Sequence, residues 1–168
     1  MALTQSKFRT TAQLNTAFSR KIIKLLRDGI DENGRASLVV SGGRTPAELF
    51  NTLSQSNLEW DKVDISLADE RWVENTDEAS NEKMLRSELL INNAANANFV
   101  SLKTQHSNAA DAVLTCTANL QKMRTPFDVL ILGMGEDGHT ASLFPCSEQI
   151  AQGLDLESGD TFIAIQPT

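Results

Sequence analysis

Apolar positions fall into two alternating rhythms along this chain. Leu14, Phe18, Ile22 and Leu25 recur at helical spacing, Gly29 reads as the stop signal, and Asp31 to Gly34 reads as a turn. Residues 37–40 (Ser-Leu-Val-Val) then read as a short buried strand. The next helix is announced by Thr45 as N-cap, Pro46 at the first helical position and Glu48 three residues after the cap, a capping box. Residues 63–67 predict a second strand, which runs into the charged loop 68–73. A helix is predicted over residues 79–90, with Met84, Leu85 and Leu89 on one side. Residues 91–98, rich in Asn and Ala, carry neither rhythm, and 99–102 predict a short strand. Residues 109–123 read as a helix burying Ala112, Val113, Cys116, Leu120 and Met123. Pro126 separates it from residues 127–132, the clearest buried strand, and the last apolar stretch is 162–165.

Strands separated by helices of this length imply right-handed crossovers. The expected fold is α/β: a mainly parallel, modified doubly wound (Rossmann-like) sheet with helices on both faces. No repeat, low-complexity tract or linker interrupts residues 1–168, so a single domain is expected. In such folds ligands bind beyond the carboxyl ends of the strands. Three polar loops fall at such ends: 41–46 (Ser-Gly-Gly-Arg-Thr-Pro), 69–71 (Asp-Glu-Arg) and 133–139 (Gly-Met-Gly-Glu-Asp-Gly-His).

Composition narrows the function. Fifteen Lys and Arg against 22 Asp and Glu give a net charge of −7, and the aromatics are seven Phe and two Trp with no Tyr. That balance argues against nucleic acid and anionic membranes as partners. An anionic ligand would have to be held by a few local positive groups. Two cysteines and two histidines without ligand spacing offer no metal site and no disulfide framework. The start of the chain lacks the apolar run of a signal peptide, and no stretch is long enough to span a bilayer, so a cytoplasmic protein is expected.

The loop 41–46 suits a phosphate. Gly42 and Gly43 let backbone amides approach a ligand, and the following helix start carries unpaired N–H groups and a partial positive charge. Thr45 could donate to that phosphate or cap the helix. The bland alternative is a glycine-rich turn with a good cap; no Gly-Lys-Ser/Thr marks a nucleotide P-loop. In the second loop, Arg71 could fork onto phosphate oxygens and Asp69 could accept from sugar hydroxyls or position a water, whereas Glu70 points elsewhere. A solvated charge cluster is the competing reading of these three residues, and Trp72 reads as packing.

The third loop formally matches Gly-x-Gly-x-x-Gly. Pro145 follows Gly138 after only seven residues, where a dinucleotide fingerprint needs a long helix, so that reading is rejected. What remains is a glycine-lined loop delivering His139, a group able to take a proton from water and return it. Asp137 orients His139 or caps the following turn; the spacing allows both. His106, in a polar stretch before a helix, reads as structural.

The segments SGGRTP, ADERWV, DEASNEKM and FDVLILGMGEDGHTASLFP, in this order, resemble the bacterial 6-phosphogluconolactonase family from about Phe18 onward. That family belongs to a superfamily of sugar-phosphate isomerases, deaminases and coenzyme A transferases. Related deaminases continue after the histidine with Ile-Ala-Phe-Asn-Glu-Pro, whereas Thr140-Ala-Ser-Leu-Phe-Pro145 stands here. The resemblance implies hydrolysis of 6-phosphoglucono-1,5-lactone to 6-phosphogluconate in the oxidative pentose phosphate pathway, without metal or cofactor. It implies His139 as general base with Asp69 in the catalytic site. Arg71, Gly42, Gly43 and Thr45 would serve the substrate and its phosphate, with Arg44 as an added phosphate contact or a solvent-facing side chain. A sugar-phosphate deaminase or isomerase, and a non-catalytic sugar-phosphate binder, are the competing functions. Family members run several tens of residues past the strand expected at Phe162, so this domain is expected to be C-terminally incomplete relative to them. The sequence does not set the oligomeric state.

Overall fold

The structure is a computed structural model that describes residues 3–166. Its elements are α1 (Thr11–Asn33), β1 (Ala36–Val40), α2 (Ala47–Ser54), β2 (Val63–Leu67), α3 (Asn81–Glu88), β3 (Asn98–Val100), α4 (Ala109–Leu120), β4 (Val129–Ile131) and α5 (Ile150–Leu154). Short 3-10 turns at Trp60–Lys62 and Asn92–Asn96 lead into β2 and β3. The four strands form one parallel sheet in the order β3-β2-β1-β4.

Side chains alternate across a strand, and this sorts β1 between two cores. Leu38 and Val40 pack with Ile22, Leu26 and Ile30 of α1 and with Leu49, Phe50 and Leu53 of α2. Val39 faces the other way, into a smaller cluster with Val100, Leu120 and Met123. Helices therefore cover both faces, as the alternating rhythms imply, and every residue of β1 and β2 is buried.

Several local expectations give way to tertiary contacts. Gly29 does not stop α1, which continues to Asn33 and ends on Gly34 in the left-handed region (φ 76°). Gly29 is needed for a close approach: a Cβ there would lie 2.6 Å from the Asp128 carboxylate, which accepts from Ser37 N at 2.8 Å and Arg124 at 2.7 Å. Of the apolar stripe, Ile22 joins Leu26 and Ile30 in the core, whereas Leu14 and Phe18 are exposed.

At α2 the cap position is Pro46, with no side-chain cap, and Thr45 is exposed; the capping box does not form. A backbone turn from Ala47 N to Arg44 O (3.4 Å) already closes this corner, and proline has no N–H to satisfy. The clearest apolar run shortens to the three residues of β4 at the sheet edge. Val129 and Ile131 are buried, while Leu130 is 50% and Leu132 48% exposed, because an edge strand pairs on one side only. Residues 162–165 form no strand; Phe162 packs against both cores.

Candidate active site

Three adjacent parallel strands release their loops at one edge of the sheet. Ser41 N bonds Ile131 O at 3.0 Å and Ala68 N bonds Val40 O at 2.8 Å, so pairing persists to the last residue of each strand. Neighbouring strands lie about 4.8 Å apart, which gathers the loops after β2, β1 and β4 into one patch. The chain winds outward from β1 to β2 and β3, then returns to add β4 on the other side. The β1/β4 boundary is therefore the topological switch point, where open α/β sheets bind ligands.

The loop after β4 is folded around its glycines. Gly135 N donates to His139 O at 2.8 Å and Gly138 N to Gly135 O at 3.0 Å, with Gly138 at φ 86°. A Cβ at Gly135 would lie 2.3 Å from the imidazole, so that glycine makes room for the ring. The ring packs 4.7 Å from that of Phe144, tilted by 48°.

His139 Nδ1 and Asp137 Oδ1 are 2.5 Å apart, and His139 N donates to the same oxygen at 3.2 Å. Asp137 thus performs both tasks the spacing allows, orienting the ring and capping the turn. These hydrogen bonds from His139, the ring's foremost, hold the Asp137 carboxyl below its ordinary range. Asp137 is then an acceptor at neutral pH, which assigns a proton to Nδ1 and turns Nε2 away from the carboxylate.

In the loop after β2 the three charges divide their work. Asp69 Oδ2 accepts from Ser142 Oγ at 2.6 Å, and Asp69 O accepts from Asn81 Nδ2 at 2.9 Å. Glu70 turns back to cap α3, accepting from Asn81 N at 2.9 Å, Glu82 N at 2.8 Å and Ser80 Oγ at 3.2 Å. Arg71 is exposed and donates to Ala79 O at 3.3 Å. The Trp72 indole donates to His106 O at 3.2 Å, with Lys103 Nζ 5.2 Å from its ring centre. His106 Nδ1 bonds Thr104 Oγ1 at 2.8 Å.

Asp69, Arg71, Trp72, His139, Ser142 and Phe162 line one cavity of about 690 Å³. A hollow of that size suits a small ligand. Gly42, Gly43, Arg44 and Thr45 do not line it; they follow the carboxyl end of the central strand β1. Ser41 Oγ is buried there without a partner among the described residues, and Gly43 has φ 105°. Arg44 and Thr45 are exposed.

Sequence reasoning gives Asn81 no role and holds the Ser142 hydroxyl, like that of Ser41, only as a formal alternative nucleophile without a Gly-x-Ser-x-Gly elbow behind it. Asn81 and Ser142 act on Asp69 from 12 and 73 residues away, a separation that leaves no local pattern to read.

A parallel α/β sheet whose strand order reverses beside the central strand belongs to the doubly wound class of folds, which bind ligands at that point. Within it, the family model described as glucosamine-6-phosphate isomerases/6-phosphogluconolactonase matches residues 9–167, and this chain belongs to that family. It is 41% identical over 147 residues to the 6-phosphogluconolactonase of Pseudomonas aeruginosa, covering 88% of this chain and 60% of the relative. It is 44% identical over 145 residues to that of Pseudomonas putida, covering 86% and 60%. The crystal structure of a 6-phosphogluconolactonase from Shewanella baltica superposes with a TM-score of 0.92 at 44% identity, over 96% of this chain and 68% of that one. The chain thus spans about 60% of the length of these Pseudomonas relatives.

Proposed function

We propose that this protein hydrolyses 6-phosphoglucono-1,5-lactone to 6-phosphogluconate. The observation that carries the reading is the Asp137–His139 pair opening onto the same cavity as Asp69 and Arg71. The lactonase relatives support the choice of substrate.

In this reading the phosphate docks between Arg71 and the loop after β1. There the backbone amides of Gly42 and Gly43 approach it without Cβ atoms in the way, and Thr45 and Arg44 stand exposed beside them. Asp69 accepts from the sugar hydroxyls. His139 Nε2 takes a proton from water as the oxygen attacks the lactone carbonyl carbon. The tetrahedral intermediate collapses with cleavage of the bond to the ring oxygen, which takes the proton back from the imidazolium. The product carboxyl ionises in solution. Atoms and protons balance with water as the only co-reactant, and no cofactor enters the scheme. The substrate class, a phosphorylated sugar lactone, supports a cytoplasmic location for such an enzyme.

The test is a coupled assay that presents the lactone to the purified chain and follows 6-phosphogluconate, corrected for spontaneous hydrolysis. Catalysed product formation supports the reading. Ammonia release from an amino-sugar phosphate, or saturable product binding without turnover, overturns it in favour of a deaminase or a binder.

A further inference from the structure

Ser142 and Asp69 meet from opposite sides of the central strand. Asp69 follows β2 and Ser142 follows β4, and β1 lies between them in the sheet. Two strand spacings amount to roughly 9–10 Å, so the 2.6 Å contact is made by the two loops arching over the carboxyl end of β1. That is the switch point itself.

The backbone around Ser142 is held against its local preferences. Leu143 N bonds Thr140 O at 2.9 Å, closing a turn in which Ala141 sits at φ 49°, a conformation ordinarily left to glycine. Thr140 Oγ1, in the same turn, is buried without a partner among the described residues. Disfavoured backbone of this kind persists where the surroundings over-determine it, and it clusters at functional sites. Here the turn carries the Ser142 hydroxyl to Asp69, three residues after the base His139.

The contact divides the Asp69 carboxylate. Oδ2 accepts the hydrogen bond from Ser142 Oγ, while Oδ1 receives no hydrogen bond from the described residues. A carboxylate fixed through one oxygen and anchored at its backbone by Asn81 presents the other oxygen in a set direction. Ser142 Oγ donates to Asp69 and not to the imidazole, whose Nδ1 is taken by Asp137.

We propose that Ser142 is a positioning residue: it clamps Asp69 across the end of β1 so that Asp69 Oδ1 accepts a ring hydroxyl of the sugar while His139 faces the carbonyl. The proposal rests on the sugar-phosphate reading of the cavity and adds to it the residue that sets hydroxyl recognition.

A double-mutant cycle tests it, using Ser142→Ala, Asp69→Asn, the double variant and Ser142→Thr. Two readouts are taken: kcat and KM for the lactone, and calorimetric affinity for 6-phosphogluconate with inorganic phosphate as the control ligand. Loss of one charge-assisted hydrogen bond corresponds to about a tenfold change in affinity. Ser142→Ala is therefore expected to raise KM and weaken product binding about tenfold, with kcat little changed. The double variant should be no weaker than Asp69→Asn alone, Ser142→Thr should restore binding, and inorganic phosphate affinity should not move. Additive effects in the cycle, a defect confined to kcat, or failure of threonine to rescue overturns the proposal. Absence of lactone turnover with product binding intact overturns the hydrolase reading alone, and the binding cycle then still decides the role of Ser142. Absence of product binding in the unmodified chain overturns the clamp.

Discussion

Asn81 occupies the space that a side chain at position 42 would need. A Cβ on Gly42 would lie 2.0 Å from Asn81 Oδ1 and 2.2 Å from its Cγ, while Asn81 Nδ2 donates to Asp69 O at 2.9 Å. The first glycine of the loop after β1 is thus required by the protein's own packing, whatever it also offers a phosphate. Gly42→Ala should push Asn81 off Asp69 and destabilise the fold by about 1–3 kcal/mol, the range for an overpacked site. Thermal denaturation beside a KM measurement checks it; an unchanged melting temperature with unchanged KM refutes the packing account. Gly43→Ala meets open space and is disfavoured only by its φ of 105°.

The Asp137–His139 pair leads to a prediction about turnover. His139→Ala should lower kcat by ~10²-fold or more, within the range of general-base contributions, while leaving the melting curve in place, since the ring packs at a half-exposed loop. Asp137→Asn should also lower kcat, because a carboxamide can donate to Nδ1 and so favour the tautomer with its proton on Nε2. Near-native turnover in either variant removes that residue from the mechanism.

The same pair sets a pH dependence. The Asp137 carboxyl is held low in the folded protein, first by the hydrogen bond from the His139 ring. A carboxyl lowered on folding adds stability above its unfolded value and loses it as pH falls through the lower folded value. The pairing should therefore survive acidification through the usual carboxylate range and break only below it. Carboxyl-detected NMR titration should place the Asp137 midpoint below that range and return it upward in His139→Ala. An ordinary midpoint in the unmodified protein refutes the pairing.

Glu70 belongs to the fold more than to the chemistry. Its carboxylate accepts from the backbone N–H groups of Arg71, Asn81 and Glu82, the last two at the start of α3. Glu70→Ala strands those donors and should destabilise the protein by about 1–3 kcal/mol. Denaturant unfolding measures it, and a loss no larger than that of an exposed surface substitution contradicts the cap.

Position 29 sets two effects against each other. Alanine gains about 1 kcal/mol over glycine in a helix interior. Its Cβ would strike Asp128 Oδ1 at 2.6 Å, and that carboxylate is tied to Ser37 and Arg124. Displacing it breaks those bonds, so overpacking wins and Gly29→Ala should lower the melting temperature. A rise would show that Asp128 yields freely.

Local pattern was enough to read β2 at its observed bounds, β1 to within a residue, α3 and α4 to within a few residues at each end, and the glycine loop carrying His139. Each depends on residues a turn or a pleat apart, whose spacing is itself the signal. The short reach from Asp137 to His139 was legible for the same reason, although two roles remained open until the geometry showed one oxygen serving both. The reason for glycine at 29 and 42, the turning of Glu70 onto α3 and the joining of Ser142 to Asp69 were decided by the tertiary structure. So was the edge position that leaves Leu130 exposed. These depend on which strands become neighbours, and the order β3-β2-β1-β4 emerges only when the whole sheet buries its two faces at once.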